Sequence, residues 1–209
     1  GDLAAAQAAY AAALAIDPDH APTHNNLGNL HRDAGDIAAA EGAYRRALEL
    51  LPGYVDALIN LATLLGDQGR FDQALPLFES ALQNGGQRVE VYNNLGTAHL
   101  KMGAYARAEA VLRRGIALGA PRPGLYFNLG GALEGQGQMA AAAAAYGRAV
   151  EIDSTYARAY YNLALLYEGE GDTAAAADNY QAFLRHWRGA AAFSAQAQER
   201  LQRLARDRR

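Results

Sequence analysis

Cysteine is absent from the 209 residues, and the sequence has only one tryptophan and two methionines. The absence of cysteine excludes disulfides, thiol nucleophiles and cysteine-ligated metals, and it leaves the cellular compartment open. No run approaches the roughly 20 apolar residues that a transmembrane helix needs, and no signal peptide is recognisable. We therefore expect a soluble protein, for which a cytoplasmic location is favoured.

The sequence also lacks a strong excess of either charge, since its formal net charge is −3. This balance argues against a general nucleic-acid binder, and we expect no nucleic-acid partner. The last segment is locally basic, with seven arginines from Arg185 onward against Glu199 and Asp207. We interpret it as the solvated face of a terminal helix, although contact with nucleic acid or a membrane stays open.

Glycine and asparagine, in contrast, recur at a fixed spacing of 34 residues. The glycines of this series are Gly35, Gly69, Gly103, Gly137 and Gly171. The asparagines are Asn26, Asn60, Asn94, Asn128 and Asn162. Leucine and alanine series run in phase with them, and alanine has the highest helix propensity of all residues. An uninterrupted period of this length predicts a stack of helical hairpins.

Within one period the pattern predicts two helices, here called A and B, that meet at a glycine turn. Helix A of one repeat covers residues 23–34. Gly35 can adopt the left-handed conformation that ends it, and Asp36 can cap the next helix. Helix B then places Ile37 and Tyr44 on its inner face, together with alanines.

Small residues follow the inner-face leucine of each helix A, where they allow helix B to approach closely. They are Gly28, Ala62, Gly96, Gly130 and Ala164. The pattern resembles the tetratricopeptide repeat (TPR), whose signature is Trp-x2-Leu-Gly-x2-Tyr, then Ala-x3-Phe, then Pro. Tyrosine fills the first aromatic position at Tyr92, Tyr126 and Tyr160. The resemblance implies an all-α, right-handed solenoid of TPR helix-turn-helix hairpins with a C-terminal capping helix.

The repeat phase divides the chain into a TPR solenoid over residues 1–190 and a terminal segment. The expected units are a half repeat 1–20 and full repeats 21–54, 55–88, 89–122, 123–156 and 157–190. Residues 191–209 are expected to form the capping helix and a basic tail, with Phe193 on the inner face above Trp187. The half repeat lacks its helix A, so upstream residues, a second copy or a partner would have to cover helix B.

The resemblance also implies which residues face a ligand, because the A helices line the concave groove of a TPR stack. The candidate peptide-binding residues are Asn26, Asn60, Asn94, Asn128, Asn162, Asn25, Asn93, Asn29, Thr63, Thr97, Phe127 and Tyr161. An asparagine amide offers one acceptor and two donors, so a series in phase can bind the backbone of an extended peptide. This resembles the asparagine ladder in the TPR arms of O-linked N-acetylglucosamine transferases and kinesin light chains. Asparagine is also common here in generic repeats, so a purely structural role stays open.

The position just before each ladder asparagine indicates the chemistry of the ligand. TPR clamps for acidic C-termini have lysine there, whereas this chain has Asn25, Ile59, Asn93, Phe127 and Tyr161. Capture of an acidic C-terminus is therefore not expected. The two aromatic residues suggest an apolar contact toward the C-terminal half, with burial between helices as the alternative.

Catalytic motifs are not recognisable in the sequence. It contains no Gly-rich phosphate loop, no His-Glu-x-x-His element and no serine nucleophile motif. His31 and His99 occupy repeat positions where the motif has tyrosine, so we interpret them as packing residues. We predict no catalytic residue, no metal site and no cofactor.

These observations predict a non-catalytic protein–protein interaction scaffold that binds extended or helical peptide segments in its groove. Two alternatives stay open. The chain could be the substrate-recruiting arm of a larger enzyme such as a glycosyltransferase, since it begins with glycine and half a repeat. It could also be a self-assembly module that docks a second copy on the incomplete N-terminal repeat.

Overall fold

The computed structural model describes residues 3–119 and 121–207, and these residues form twelve α-helices and no strand. The helices are α1 Leu3–Ile16, α2 Ala21–Asp33, α3 Ile37–Leu50, α4 Val55–Asp67, α5 Phe71–Gln83, α6 Val89–Lys101, α7 Tyr105–Ala117, α8 Pro123–Gly135, α9 Met139–Ile152, α10 Ala157–Gly169, α11 Thr173–His186 and α12 Ala191–Asp207. The even-numbered helices from α2 to α10 are the predicted A helices. The all-α class expected from the sequence is confirmed.

The turns inside the hairpins follow from the repeated glycine. Gly35 has a φ of 80°, in the left-handed region that favours glycine, and the other members of its series share this conformation. After the turn, the Asp36 carboxylate accepts a hydrogen bond from the Ala39 N–H at 3.0 Å. Asp172 caps α11 in the same way through Ala175. The predicted glycine stop and aspartate cap are therefore both confirmed.

The α2–α3 and α8–α9 hairpins close by packing a tyrosine of helix B against a glycine of helix A, whereas Phe78 and Leu112 are the buried residues at this position in α5 and α7. A Cβ atom added to Gly28 would lie 2.5 Å from the Tyr44 ring, and one added to Gly130 would lie 2.5 Å from the Tyr146 ring. Both rings are almost fully buried. The expectation that Ile37 also faces inward is wrong, because its side chain is 38% exposed. It is the first residue of α3, and helical side chains lean toward the N-terminus, so this one lies over the turn.

The chain forms two compact units, Gly1–Met102 and Gly103–Arg209. The division falls between α6 and α7, inside the predicted repeat 89–122. In unit 1, α2 packs on α3 and α4 on α5. None of the residues 4–16 of α1 is buried, and Ile16 is 87% exposed.

Unit 2 contains the α8–α9 and α10–α11 hairpins and ends in α12, which packs on α11. Ala197 and Leu204 of α12 are buried in a cluster with Tyr180 and Phe183 of α11, and Trp187 packs against the same cluster. The predicted capping helix is therefore present. Among the described residues, no helix is both long and apolar enough to cross a bilayer.

A repeated polar contact links each of two B helices to the turn of the next hairpin. Glu41 of α3 accepts hydrogen bonds from Arg70, the shorter at 2.6 Å, and Glu109 of α7 accepts one from Gln136 at 2.8 Å. The hydrogen bonds from Arg70 and then Arg45 lower the pKa of Glu41. Within each unit, a B helix is thus joined to the next hairpin by a polar contact, which in unit 1 is an ion pair.

Candidate peptide-binding surface

The five ladder asparagines occupy the same register on α2, α4, α6, α8 and α10. Asn26 is exposed, and Asn60, Asn94, Asn128 and Asn162 are half-buried. Each stands one residue before the leucine that packs inward, so its amide lies at the edge of the helix interface. This placement leaves the amides accessible while neighbouring helices restrict their rotamers.

In unit 1, two of the three ladder asparagines are oriented by hydrogen bonds to the preceding A helix. Asn60 Nδ2 donates to Asn25 Oδ1 at 2.9 Å, and Asn94 Nδ2 donates to Thr63 Oγ1 at 3.3 Å. Asn25 itself is only 3% exposed. It therefore positions the Asn60 amide and does not present its own side chain to solvent, unlike the contact expected from the sequence.

Two other candidate peptide-binding residues of unit 1 also form hydrogen bonds within the protein. Asn29 Oδ1 accepts a hydrogen bond from the Tyr44 hydroxyl at 2.7 Å, so its carbonyl oxygen is already engaged within the hairpin. Thr97 Oγ1 donates to the Asn93 carbonyl at 2.9 Å. Thr63, Asn94 and Thr97 line one small cleft of about 110 Å³, whose apolar wall includes Phe78. The structure thus brings three predicted residues of unit 1 together.

In unit 2, the ladder continues with Asn128 and Asn162. Asn162 forms a side-chain hydrogen bond with Tyr146, whose hydroxyl donates to Glu134 Oε2 at 2.7 Å. Burial of the phenol, followed by the hydrogen bond to Glu134, raises the pKa of Tyr146. The tyrosine therefore stays neutral and holds α8, α9 and α10 in one polar contact.

Five aromatic side chains line a pocket of about 280 Å³ in unit 2, which we call the aromatic pocket. They are Phe127 of α8, Tyr161 of α10, Phe183 of α11, Trp187 at the end of α11 and Phe193 of α12. The Tyr161 and Phe183 ring centroids are 5.1 Å apart, and those of Trp187 and Phe193 are 5.6 Å apart. The predicted residues Phe127 and Tyr161 therefore meet at one pocket, partly buried and partly accessible.

Two polar side chains complete the aromatic pocket. Arg158 and Asn162 lie four residues apart on α10, on the same face as Tyr161. Arg158 is exposed and forms no ion pair with any residue that the structure describes. In contrast, Arg32 of unit 1 is paired with Asp33 at 3.3 Å. The aromatic pocket therefore combines an apolar floor, an amide and a guanidinium that no described carboxylate pairs with.

The wall that α12 contributes is held by a cluster around Glu168, which we call the cap clasp. Glu168 of α10 accepts hydrogen bonds from the Tyr180 hydroxyl at 2.7 Å, from Arg200 at 3.1 Å and from Arg203. Burial acts to raise the pKa of Glu168, but the hydrogen bonds from Tyr180 and the two arginines outweigh it and lower the pKa. The clasp thus fixes α12 with a charged carboxylate.

Sequence reasoning missed the pocket role of Trp187 and Phe193. It placed Phe193 on the inner face of the cap with Trp187 packed beneath it, yet Phe193 is 50% exposed. Their proximity to Phe127 depends on how α12 folds back on α10 and α11, and a repeat period carries no signal for that. Arg158 was not among the candidate residues.

The described ranges contain no group of three or more His, Cys, Asp or Glu side chains that could hold a metal ion. His99 is 4% exposed, in agreement with a packing role.

Family models match most of the chain. Models described as tetratricopeptide repeat match residues 31–75, 59–123 and 158–189, and one described as TPR repeat matches residues 135–171. No curated protein matches the chain in sequence.

Solved structures of three named proteins are similar. A crystal structure of MamA is 28% identical over 77% of this chain and 94% of its own, with a TM-score of 0.72. YrrB, described as a TPR protein with an unusual peptide-binding site, is 21% identical over 91% of this chain and 98% of its own, with a TM-score of 0.76. PilF of Pseudomonas aeruginosa is 23% identical over 90% of this chain and 85% of its own, with a TM-score of 0.77. The likeness to YrrB and PilF concerns the fold alone.

Proposed function

Because the chain belongs to the tetratricopeptide repeat family, we propose that it is a non-catalytic scaffold that binds peptide segments of a protein partner along its A helices. Proteins of this family typically mediate protein–protein interactions. The ladder asparagines hold the backbone of the bound segment, and the threonines beside them supply further hydrogen bonds. YrrB, which has the same fold, is described as having a peptide-binding site, and this agrees with the proposal.

The proposal rests on the observation that Asn60 and Asn94 each use only one amide N–H in a hydrogen bond within the protein. Asn60 uses one N–H on Asn25, so its second N–H and its carbonyl oxygen remain for a ligand. Asn94 likewise uses one N–H on Thr63. A side chain that is already oriented loses less rotamer entropy on binding than a free one. An extended peptide backbone presents an N–H and a C=O at regular intervals. The remaining N–H and C=O of asparagines that recur at one register can form hydrogen bonds with these groups.

The expected affinity is modest. Each ladder asparagine contributes about two hydrogen bonds of ~1 kcal/mol net. Ordering a flexible peptide costs roughly 2–5 kcal/mol or more. With some asparagines left unused in any one complex, dissociation constants of about a micromolar or weaker follow. Backbone recognition also gives broad sequence tolerance, with selectivity left to the pockets beside the ladder.

The test uses a random-sequence peptide library displayed on phage and selected on the full chain. Dissociation constants of the selected peptides are measured by fluorescence anisotropy for the native chain and for the double variant Asn94→Ala/Asn128→Ala. Counting one lost hydrogen bond of about 1 kcal/mol at each position, the variant loses about 2 kcal/mol and binds roughly thirtyfold more weakly, and more if both hydrogen bonds of each asparagine are used. Circular dichroism of the variant is expected to show unchanged helix content.

The matched control is Asn84→Ala/Asn179→Ala, which removes one asparagine from each unit outside the A helices. Both side chains bond only to their own helix, through the carbonyls of Ser80 and Ala175. We expect this control to bind the peptides as the native chain does. Unchanged affinity in the folded ladder variant, or an equal loss in the control, would contradict the proposal.

A further inference from the structure

The aromatic pocket is a preformed cavity in unit 2, because its rings hold one another in place. Trp187 contacts Phe183 at 5.2 Å and Phe193 at 5.6 Å between centroids. The Trp187 indole N–H also donates to the Ala190 carbonyl at 3.0 Å, which fixes the ring between α11 and α12. Aromatic pairs at these distances add stability beyond their buried area. The cavity therefore does not have to be opened by its ligand.

The size of the aromatic pocket limits what it can bind. Pockets for small molecules and cofactors span about 300–1,000 Å³. At about 280 Å³, the aromatic pocket lies just below that range. Its aromatic walls and its volume suit one large apolar side chain. Large apolar residues that fill such pockets supply most of the binding energy of many protein interfaces.

The positive charge of Arg158 beside the aromatic pocket determines which type of residue is preferred next to the bound apolar side chain in the ligand. The Arg158 guanidinium has no carboxylate partner among the described residues. Asp153, which lines an adjacent cleft with Arg158, accepts hydrogen bonds from the backbone N–H and the hydroxyl of Thr155. Glu168 is occupied by the cap clasp. Arg158 is therefore available to an acidic group of a ligand, and it disfavours a basic one.

We propose that the aromatic pocket binds one large apolar side chain of an extended internal peptide segment in which an aspartate or glutamate adjoins that side chain. Arg158 pairs with the acidic residue, and Asn162 binds the backbone between the two side chains. Arg158, Tyr161 and Asn162 share one face of α10, so one short segment reaches all three. This inference rests on the peptide-binding function proposed above and specifies its ligand.

The experiment selects end-blocked peptides from a random-sequence library on the native chain, on Arg158→Glu and on Phe193→Ala. Peptides selected on the native chain are expected to share a large apolar residue beside Asp or Glu. Arg158→Glu is expected to weaken these peptides about tenfold and to select peptides with Lys or Arg at the acidic position instead. Phe193 is half exposed, so Phe193→Ala keeps the fold and is expected to lower affinity by about tenfold.

The control for the charge reversal is Arg185→Glu, which makes the same charge change on the exposed surface of α11. It is expected to leave the selected sequences unchanged. If ladder substitutions weaken the selected peptides but Arg158→Glu and Phe193→Ala do not, the pocket assignment is wrong and the peptide-binding function stands. If the native chain selects no peptide, both proposals fail together.

A second copy of the chain is the competing occupant of the aromatic pocket. Sedimentation velocity across a concentration series distinguishes the two occupants. A monomer at all concentrations supports the peptide proposal. A dimer that Phe193→Ala abolishes would overturn it.

Discussion

Gly130 occupies a point in α8 where the ring of Tyr146 leaves no room for a side chain. An added Cβ would lie 2.5 Å from the ring, and Tyr146 is 1% exposed, so the ring cannot move aside into solvent. We predict that Gly130→Ala destabilises unit 2 by about 1–3 kcal/mol, the usual cost of an overpacked core. The urea midpoint of unfolding, followed by circular dichroism, measures the loss.

Gly147 is the matched control for this substitution, since it lies in α9 of the same hairpin and an added Cβ would meet no packing neighbour within 4 Å beyond its own helix backbone. There the intrinsic preference of a helix for alanine predicts a gain of about 0.5–1 kcal/mol. The two glycine-to-alanine changes should therefore shift the midpoint in opposite directions. A gain at both sites would show that the tyrosine contact places no constraint on residue 130.

Residue-level features were predictable from the sequence when their partners lie a few positions away. The left-handed Gly35 and the Asp36 cap belong to this group, because turn and cap chemistry is local. The burial of Asn25 was not predictable, because it depends on which side chain of α4 faces it. Nor was the partner of each buried tyrosine, which is Asn29 for Tyr44 but Glu134 for Tyr146.

At the scale of elements, the attachment of α12 depends on the cap clasp. Glu168→Gln removes the charge that Tyr180, Arg200 and Arg203 share, and hydrogen bonds to a charged group contribute more than neutral ones. Because Arg203 is largely exposed, we expect a loss of only about 1–2 kcal/mol in α12 docking. Trp187 is the single tryptophan and packs against Phe193 of α12, so a red shift of its fluorescence reports undocking.

Glu134→Gln is the control, because Glu134 accepts a hydrogen bond from Tyr146 but pairs with no arginine in the described part of the chain. It should leave the Trp187 spectrum unchanged.

The cap clasp around Glu168 also predicts that the docking of α12 depends on pH. The folded pKa of Glu168 lies below its ordinary value of 4.5, so the stabilisation is present above that value and lost as pH falls through the folded pKa. The native chain should show the red shift in acid, and Glu168→Gln should show it already at neutral pH.

The amphipathic pattern of the last helix predicted a cap, and Ala197 and Leu204 are buried as that pattern requires. It did not predict that Phe193 would stay half exposed. A helical face shows which side chains point toward the body of the protein, but not whether the body has a cavity there. Phe127 lies on α8 and Tyr161 on α10, so the width of the aromatic pocket between these two side chains is set by how α8 and α10 pack. A pattern within one helix cannot predict that packing.

At the scale of the whole chain, the 34-residue period predicted an array in which each hairpin packs mainly on its neighbours in sequence. Within each unit the helix contacts follow this order, from α2 to α3 and α4 in unit 1, and from α8 to α9 and α10 in unit 2. In such an array, stability is approximately a sum of hairpin and interface contributions. A change at one end is therefore expected to act locally.

Deleting residues 191–209 tests this expectation on the protein as a whole. The deletion uncovers Trp187 and the apolar surface of α11, so amide hydrogen exchange should speed up most in α10 and α11. The effect should be smaller in α8 and α9, and absent in α2 and α3 of unit 1, because each interface passes on only part of the lost free energy. Hydrogen exchange with mass spectrometry resolves these helices as separate peptides. An equal loss of protection in both units would mean that the chain unfolds as one cooperative body, and the nearest-neighbour description would then be wrong.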